Sequence, residues 1–349
     1  MQSYEICPFQ LRSSTEADYA CLNEFKNILR QEVLPDDPPI ACREDVERWH
    51  TIPDYVEEAV WAAWESARRR IIAVGQCAIY HTGDNEHMMD FRIEVLPEFR
   101  RQGLGRQMLR LITGQSLRHG RRLMITETSD RVPAGAEFLS GMGARKGLEQ
   151  RTNQLRLVEL DRGLLQRWLE RSNHLSGEYR LGWFEGPYPE ARIQELADLM
   201  QVVANDQPRD TLDMEDMNFT PDILRQFVNQ MLAGGQQRWV FYVTDRESDR
   251  ILGLTEVLWN PDRPTILLQG FTAVLPEYRG KGLGRWLKAA MLNKVLCERP
   301  QVEVIRTGNA NSNAPMLKIN GDLGFKPYIS WCVWQLEREA VEAYLATRI

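Results

Sequence analysis

Val95-Leu-Pro-Glu-Phe-Arg-Arg-Gln-Gly-Leu-Gly-Arg106 returns later in the chain as Val274-Leu-Pro-Glu-Tyr-Arg-Gly-Lys-Gly-Leu-Gly-Arg285, with nine of twelve residues identical at a shift of 179. Upstream, Arg70-Ile-Ile-Ala-Val-Gly-Gln76 is echoed by Arg250-Ile-Leu-Gly-Leu-Thr-Glu256 at a shift of 180, and downstream Phe138–Gly143 is echoed by Ile319–Gly324 at 181. Solenoid units repeat every ~20–50 residues, so a period this long marks a duplicated domain. The length of 349 residues agrees, because an ordinary domain takes roughly 150. The boundaries expected are 1–171 and 179–349, joined by the polar, glycine-containing linker 172–178.

Strand-like and helix-like stretches alternate in the second half. Strands are expected at Tyr179–Phe184, Trp239–Thr244, Ile251–Trp259, Thr265–Val274, Val302–Thr307 and Ile329–Leu336. Helices are expected at Pro189–Ala204, from Pro221 onward, at Gly284–Cys297 and at Asn313–Gly321. Pro221 suits a first helical turn, where its missing N–H costs nothing. Each half closes on a β-rich stretch and a short helix, 154–170 and 331–347. The fold class is mixed α/β (α+β): two domains, each a mixed central sheet flanked by helices.

Composition excludes several functions. With 43% hydrophobic and 26% charged residues the chain is that of a folded globular protein. Apolar runs such as Trp239–Val243 fall far short of the ~20 residues of a membrane helix, so no membrane partner is expected. The opening Met1–Glu5 carries no legible secretory or mitochondrial address, which leaves the cytoplasm. A formal charge of −6 has the wrong sign for a surface that neutralises nucleic-acid phosphates. The six cysteines never reach C-x-x-C spacing, and the five histidines form no H-E-x-x-H, so neither a disulfide framework nor a metal site is expected.

The repeated stretch is a strand end, a turn, and then R-x-x-G-x-G running into a helix. Glycines there remove side chains, so backbone N–H groups can converge on one anion. The partial positive charge of the helix start adds to this and favours a pyrophosphate. Arg279 and Lys281 in one loop, and Arg100, Arg101 and Arg106 in the other, are expected to add charge at the rim. No G-K-[ST] follows, which excludes the Walker pattern, and the dinucleotide fingerprint G-x-G-x-x-G is absent.

These residues resemble the GCN5-related N-acetyltransferases, or GNAT proteins, in tandem. The family signature [RQ]-x-x-G-x-[GA] is matched by Arg279, Gly282 and Gly284 and by Arg100, Gly103 and Gly105. Asn313–Phe325 is similar to the family's N-x-x-A-x-x-x-Y-x-x-x-G-F segment. The resemblance implies that acetyl-CoA lays its pyrophosphate against Arg279, Gly280, Lys281, Gly282, Leu283, Gly284 and Arg285. In the first half, Val95, Arg100, Arg101, Gln102, Gly103, Leu104, Gly105 and Arg106 would do the same. It further implies that Thr272, Ala273, Val274 and Leu275 pair their backbone with the pantetheine arm, that Asn313 helps to hold the carrier, and that an amine attacks the thioester directly. The family's proton-donating tyrosine is missing: Asn320 and Leu139 stand at its two positions.

The second half is the more complete. It keeps Asn309, Asn311 and Asn313, where the first half has Thr126–Asp130. An attacking amine must lose a proton. Glu256 is the candidate base, its counterpart being Gln76; the alternative is a solvent-facing glutamate on a half-exposed strand. Asp90, Arg92 and Glu94 share one strand face and read as a solvated ion-pair stripe in preference to a second base site. The stretch 205–220, with Asp213, Glu215 and Asp216, either attracts a cationic amine or is a loop with helix-capping acids. The expected activity is therefore acetyl-CoA-dependent N-acetyl transfer, without a metal, to a small amine by a monomer or homodimer. The alternatives are a non-catalytic CoA-binding sensor or scaffold, and an acyltransferase with another acyl donor.

Overall fold

The computed structural model describes residues 4–65 and 70–347. Met1–Ser3, on which the address reading partly rests, and the last two residues of the expected second domain lie outside them. In chain order the elements are β1 (Tyr4–Pro8), α1 (Glu16–Val33), α2 (Cys42–His50), β2 (Val56–Glu65), β3 (Arg70–Tyr80), β4 (Met88–Val95), α3 (Leu104–Arg118), β5 (Leu123–Ser129), α4 (Pro133–Ser140), β6 (Arg145–Arg156) and α5 (Arg162–Arg171). They continue as β7 (Tyr179–Glu185), α6 (Ile193–Asn205), α7 (Pro221–Leu232), β8 (Gln237–Asp245), β9 (Ile251–Trp259), β10 (Ile266–Val274), α8 (Leu283–Glu298), β11 (Val304–Ala310), α9 (Ala314–Asp322), β12 (Lys326–Glu337) and α10 (Arg338–Ala346). Each element expected in the second half forms within a few residues of its expected ends. Pro221 opens α7 behind Thr220, whose side chain accepts from the Ile223 N–H at 3.2 Å, a cap that satisfies an orphan donor. α1 starts on a capping box in which Thr15 and Asp18 exchange side-chain-to-backbone bonds.

The compact units are not the contiguous halves that the repeat suggests. One comprises Met1–Glu149, Arg209–Glu215 and Trp331–Ile349, the other Gln150–Pro208 and Asp216–Ser330. In the first unit the strands run β1-β2-β3-β4-β5-β12, with Trp331–Glu337 antiparallel to Ser129–Leu123. In the second they run β7-β8-β9-β10-β11-β6, with Val304–Ala310 antiparallel to Arg156–Gln150. Each half thus lends its closing strand and helix to the unit of the other half. Packing follows the same exchange: Trp334, Leu336, Val341 and Leu345 join the first unit's core, and Leu155, Leu165 and Trp168 join the second's.

The boundaries 1–171 and 179–349 are corrected accordingly. A strand that ends a sheet must cover an edge of unpaired N–H and C=O groups, and the edges of β5 and β11 accept strands of the same kind. The supposed linker 172–178 is also corrected. Ser172–Gly177 forms a 3-10 turn with Ser172 and Leu175 buried in the second unit, where Leu175 reaches the core.

Candidate active site

In the second unit β10 and β11 are parallel neighbours only from Ile266 to Leu268, opposite Val304 to Arg306. Beyond that point the two strands share no register, and the β11-facing edge of β10 is left open. On its other side β10 stays paired with β9, but the register slips between Gln269 and Thr272, a β-bulge. Thr272, Ala273 and Val274 lie just past it, opposite Thr255, Leu254 and Gly253, and Leu275 donates its N–H to Leu252 at 2.8 Å. The expected carrier-pairing segment is thus an open strand edge.

The chain then turns through Pro276–Tyr278 into the loop. Gly280 and Gly282 take φ of +77° and +93°, the left-handed region that glycine enters without a Cβ penalty. Among the described residues no protein acceptor meets the N–H groups of Gly280 through Arg285. Leu283 is buried, so only its backbone serves the loop.

The charged side chains are more tethered than the sequence suggested. Arg279 turns back, its Nε donating to the Val274 carbonyl at 3.0 Å and its Nη1 pairing with Asp206 at 2.5 Å. Lys281 donates to the Tyr179 hydroxyl at 3.2 Å, a bond that raises its pKa, and Arg285 lies over the Trp168 ring within 3.7 Å of Asp322. Asn313 caps α9, accepting from the Met316 N–H at 3.3 Å. Asn320 is 1% exposed and donates to Asn309 at 2.8 Å. It has no ionisable proton to give.

The first unit repeats the loop. Arg101 and Gly103 have φ of +63° and +88°, matching Gly280 and Gly282, and the N–H groups of Arg101 through Arg106 likewise meet no protein acceptor among the described residues. Arg100 donates to the Val95 carbonyl at 3.1 Å and grips Glu32 with both terminal nitrogens, at 2.6 and 2.5 Å. Gln102 bonds the Glu98 carbonyl, Arg106 the Leu345 carbonyl, and Leu104 is buried. β4 and β5 are parallel only from Met88 to Asp90. The register of β4 against β3 runs without a slip from Asp90 to Val95. Phe91–Val95 thus corresponds to Gln269–Val274, which is one residue longer.

Glu256 does not face solvent. It is 2% exposed, and its Oε2 meets Nε and Nη2 of the fully buried Arg238 at 2.8 and 2.7 Å. Its Oε1 accepts from the Phe271 N–H at 3.3 Å. Three donors hold its two oxygens in place, and its burial sets it apart from the solvent-facing glutamate that was the alternative. Arg238 was invisible to motif reading; the one signal was a charged residue at the edge of the apolar strand Trp239–Val243.

The acidic stretch is divided between the two units. Residues 209–215 belong to the first unit. There Asp213 pairs with Arg122 at 2.7 Å, which holds its carboxyl below the usual range, and lies 3.7 Å from His87. Glu215 accepts from the Asn85 N–H at 3.0 Å. Both acids are exposed and held by these contacts, while Asp216 belongs to the second unit. In the Asp90 stripe, Arg92 reaches Glu127 at 3.3 Å and Glu94 lies 3.7 Å from Lys26. Asp90 departs from a solvated stripe: burial pushes its carboxyl up to about 6, and it accepts from the Tyr80 hydroxyl at 3.2 Å. Cavities of ≈ 420 and ≈ 580 Å³ lie in the first unit, lined by residues such as Phe9, Gln10 and Glu58 or Trp64 instead of by the loops. Their positions do not coincide with the amide clusters, which present a strand edge and not a closed cavity. No helix is long and apolar enough to cross a membrane among the described residues.

Comparison with known proteins agrees with this geometry. The Acetyltransferase (GNAT) family model matches residues 25–143 and 203–325. Among solved structures, a tandem GNAT protein from the clavulanic acid biosynthesis pathway superimposes with a TM-score of 0.75 at 21% identity, covering 96% of this chain and 99% of that one. A GCN5-related N-acetyltransferase from Sphaerobacter thermophilus gives 0.66 at 12% identity, covering 96% of each chain. Saccharomyces cerevisiae N-myristoyltransferase with bound myristoyl-CoA gives 0.56 at 9% identity, covering 97% of this chain and 79% of that one. No curated protein matches. Two amide-lined loops on two strand forks, and a family match in both halves, make this chain a member of the GNAT acetyltransferase family with two GNAT domains.

Proposed function

We propose that the chain is an acetyl-CoA-dependent N-acetyltransferase that transfers acetyl directly to the primary amine of a small cationic acceptor in the cytoplasm, with the second unit catalytic. The observation that carries this is the bulged open edge of β10 leading into a loop whose amides lack acceptors. The loop amides suit the diphosphate of the carrier, and Thr272–Leu275 suit its extended arm. The amine nitrogen bonds to the thioester carbonyl carbon, the carbon–sulfur bond breaks, and the proton lost by nitrogen goes to the departing thiolate directly or through water. The products are an amide and free CoA. A thiol near pKa 8.5 leaves without a dedicated acid, which suits a site with Asn320 where the resemblance implies tyrosine. The formal charge of −6 favours a cationic over an anionic acceptor.

The first unit is read as a carrier-binding domain without transfer, because it has the same amide loop on an unslipped strand. Titration calorimetry with acetyl-CoA, CoA and myristoyl-CoA, followed by thiol release with a panel of amines, tests the whole reading. Binding of acetyl-CoA with thiol release on cationic amines supports it. Absence of heat with every carrier refutes it, and preference for myristoyl-CoA refutes the acetyl donor alone.

A further inference from the structure

In the second unit the bulge is held from behind. Glu256 reaches across from β9, and a Cβ built on Gly270 would lie 2.7 Å from its Oε1 and 2.8 Å from its Cγ. The carboxylate therefore occupies the space that any side chain at 270 would need. Its Oε1 takes the Phe271 N–H inside the slipped register. Arg238 anchors the other oxygen and is itself fixed, with Nη1 on the Gly186 carbonyl at 3.0 Å and its guanidinium 4.1 Å from the Tyr188 ring centroid. Gln269 completes the wiring, donating to the Glu256 carbonyl at 2.6 Å and to Thr255 at 3.1 Å.

The first unit supplies an internal control. At the matching strand positions it has Glu58 for Arg238 and Gln76 for Glu256, opposite Ala78 and Val60 as Arg238 and Glu256 are opposite Leu258 and Val240. That pair and the register slip are both absent there. A buried ion pair is a poor stabiliser compared with apolar residues of the same size, so its placement against a bulge calls for another role.

We infer that Arg238 and Glu256 are positioning residues, a buried pair that sets the β10 bulge and thereby aims the open backbone edge at the thioester; Glu256 is not the base. The inference rests on the acetyltransferase reading for its consequence, but the bulge itself can be followed without activity. Two variants test it. Glu256→Gln keeps the shape, and the double variant Arg238→Met with Glu256→Leu removes the pair without stranding a buried charge. The readouts are kcat, KM, the pH profile of kcat/KM, the Kd for acetyl-CoA, and backbone hydrogen exchange over residues 266–275.

Both variants are expected to lower kcat at least tenfold with Kd for acetyl-CoA held within threefold. The pH profile of Glu256→Gln keeps its wild-type shape, and exchange across the bulge rises in the double variant. Loss of the acidic limb in Glu256→Gln overturns the inference in favour of a base. Unchanged exchange with unchanged kcat in the double variant overturns it outright. Wild-type protein silent toward every carrier in calorimetry refutes the enzyme reading instead, while exchange still judges the lock.

Discussion

Lys288 offers a quantitative test of how the second unit's core is built. It sits on α8, 2% exposed, its ammonium 5.8 Å from the Phe325 ring centroid, with no hydrogen bond or carboxylate within ion-pair reach among the described residues. The nearest charged residue on its own helix face, Arg285 one turn back, is directed to Asp322 of α9. Burial alone pushes the Lys288 amine down from 10.5 to about 7. The unfolded chain keeps this proton up to pH 10.5, whereas the folded chain releases it near 7. Between those values the unfolded state binds more protons, so stability rises with pH across the window, and below pH 7 the penalty is fully present.

At about 1.4 kcal/mol for each pH unit between the two states, the penalty reaches at most about 5 kcal/mol. Lys288→Met keeps the length of the side chain and removes the proton. Chemical denaturation at pH 6.5, 8.5 and 10 is expected to show a more stable variant at pH 6.5, with its advantage shrinking steadily toward pH 10. A variant no more stable than the parent at pH 6.5, or an advantage that does not change with pH, refutes the reasoning.

Other expectations follow from single contacts. Gly282→Ala forces a Cβ onto φ of +93°, costs about 1 kcal/mol, and weakens acetyl-CoA binding in calorimetry; an unchanged Kd would show that the loop conformation does not matter to the carrier. Asp90→Asn removes a carboxyl whose folded pKa is raised to about 6. The parent's stability therefore falls as pH rises from about 4 to 6, and the variant is the more stable by up to about 3 kcal/mol at pH 7, as urea midpoints at pH 3.5 and 7 would reveal. The isolated segment 1–171 lacks the strand and helix that cover β5 and α3, and it is expected to melt without a cooperative transition in circular dichroism. A sharp two-state melt of that segment would refute the exchange.

Much of the loop geometry was readable from the linear chain because it is local. The amide loops follow from glycine spacing, a property of a few consecutive residues, and both take the left-handed turns that the spacing demands. The Arg279 side chain was misjudged for the opposite reason. Its partner Asp206 lies far away in sequence, and a motif reading sees an arginine only as charge. Asp213 and Glu215 show the same limit, since their partners, the Arg122 guanidinium and the Asn85 N–H, come from the other half of the chain.

The repeated sequence alone determined that there are two strand-and-helix units of one kind, each with a glycine loop opening a helix, because strand alternation, glycine turns and helix starts are short-range preferences. Only the tertiary structure decided which closing strand completes which sheet, where the register slips, and that Glu256 is locked to Arg238. Pairing edges of equal chemistry are interchangeable until the chain has packed, and a buried charge acquires its meaning only from the partner that packing brings to it.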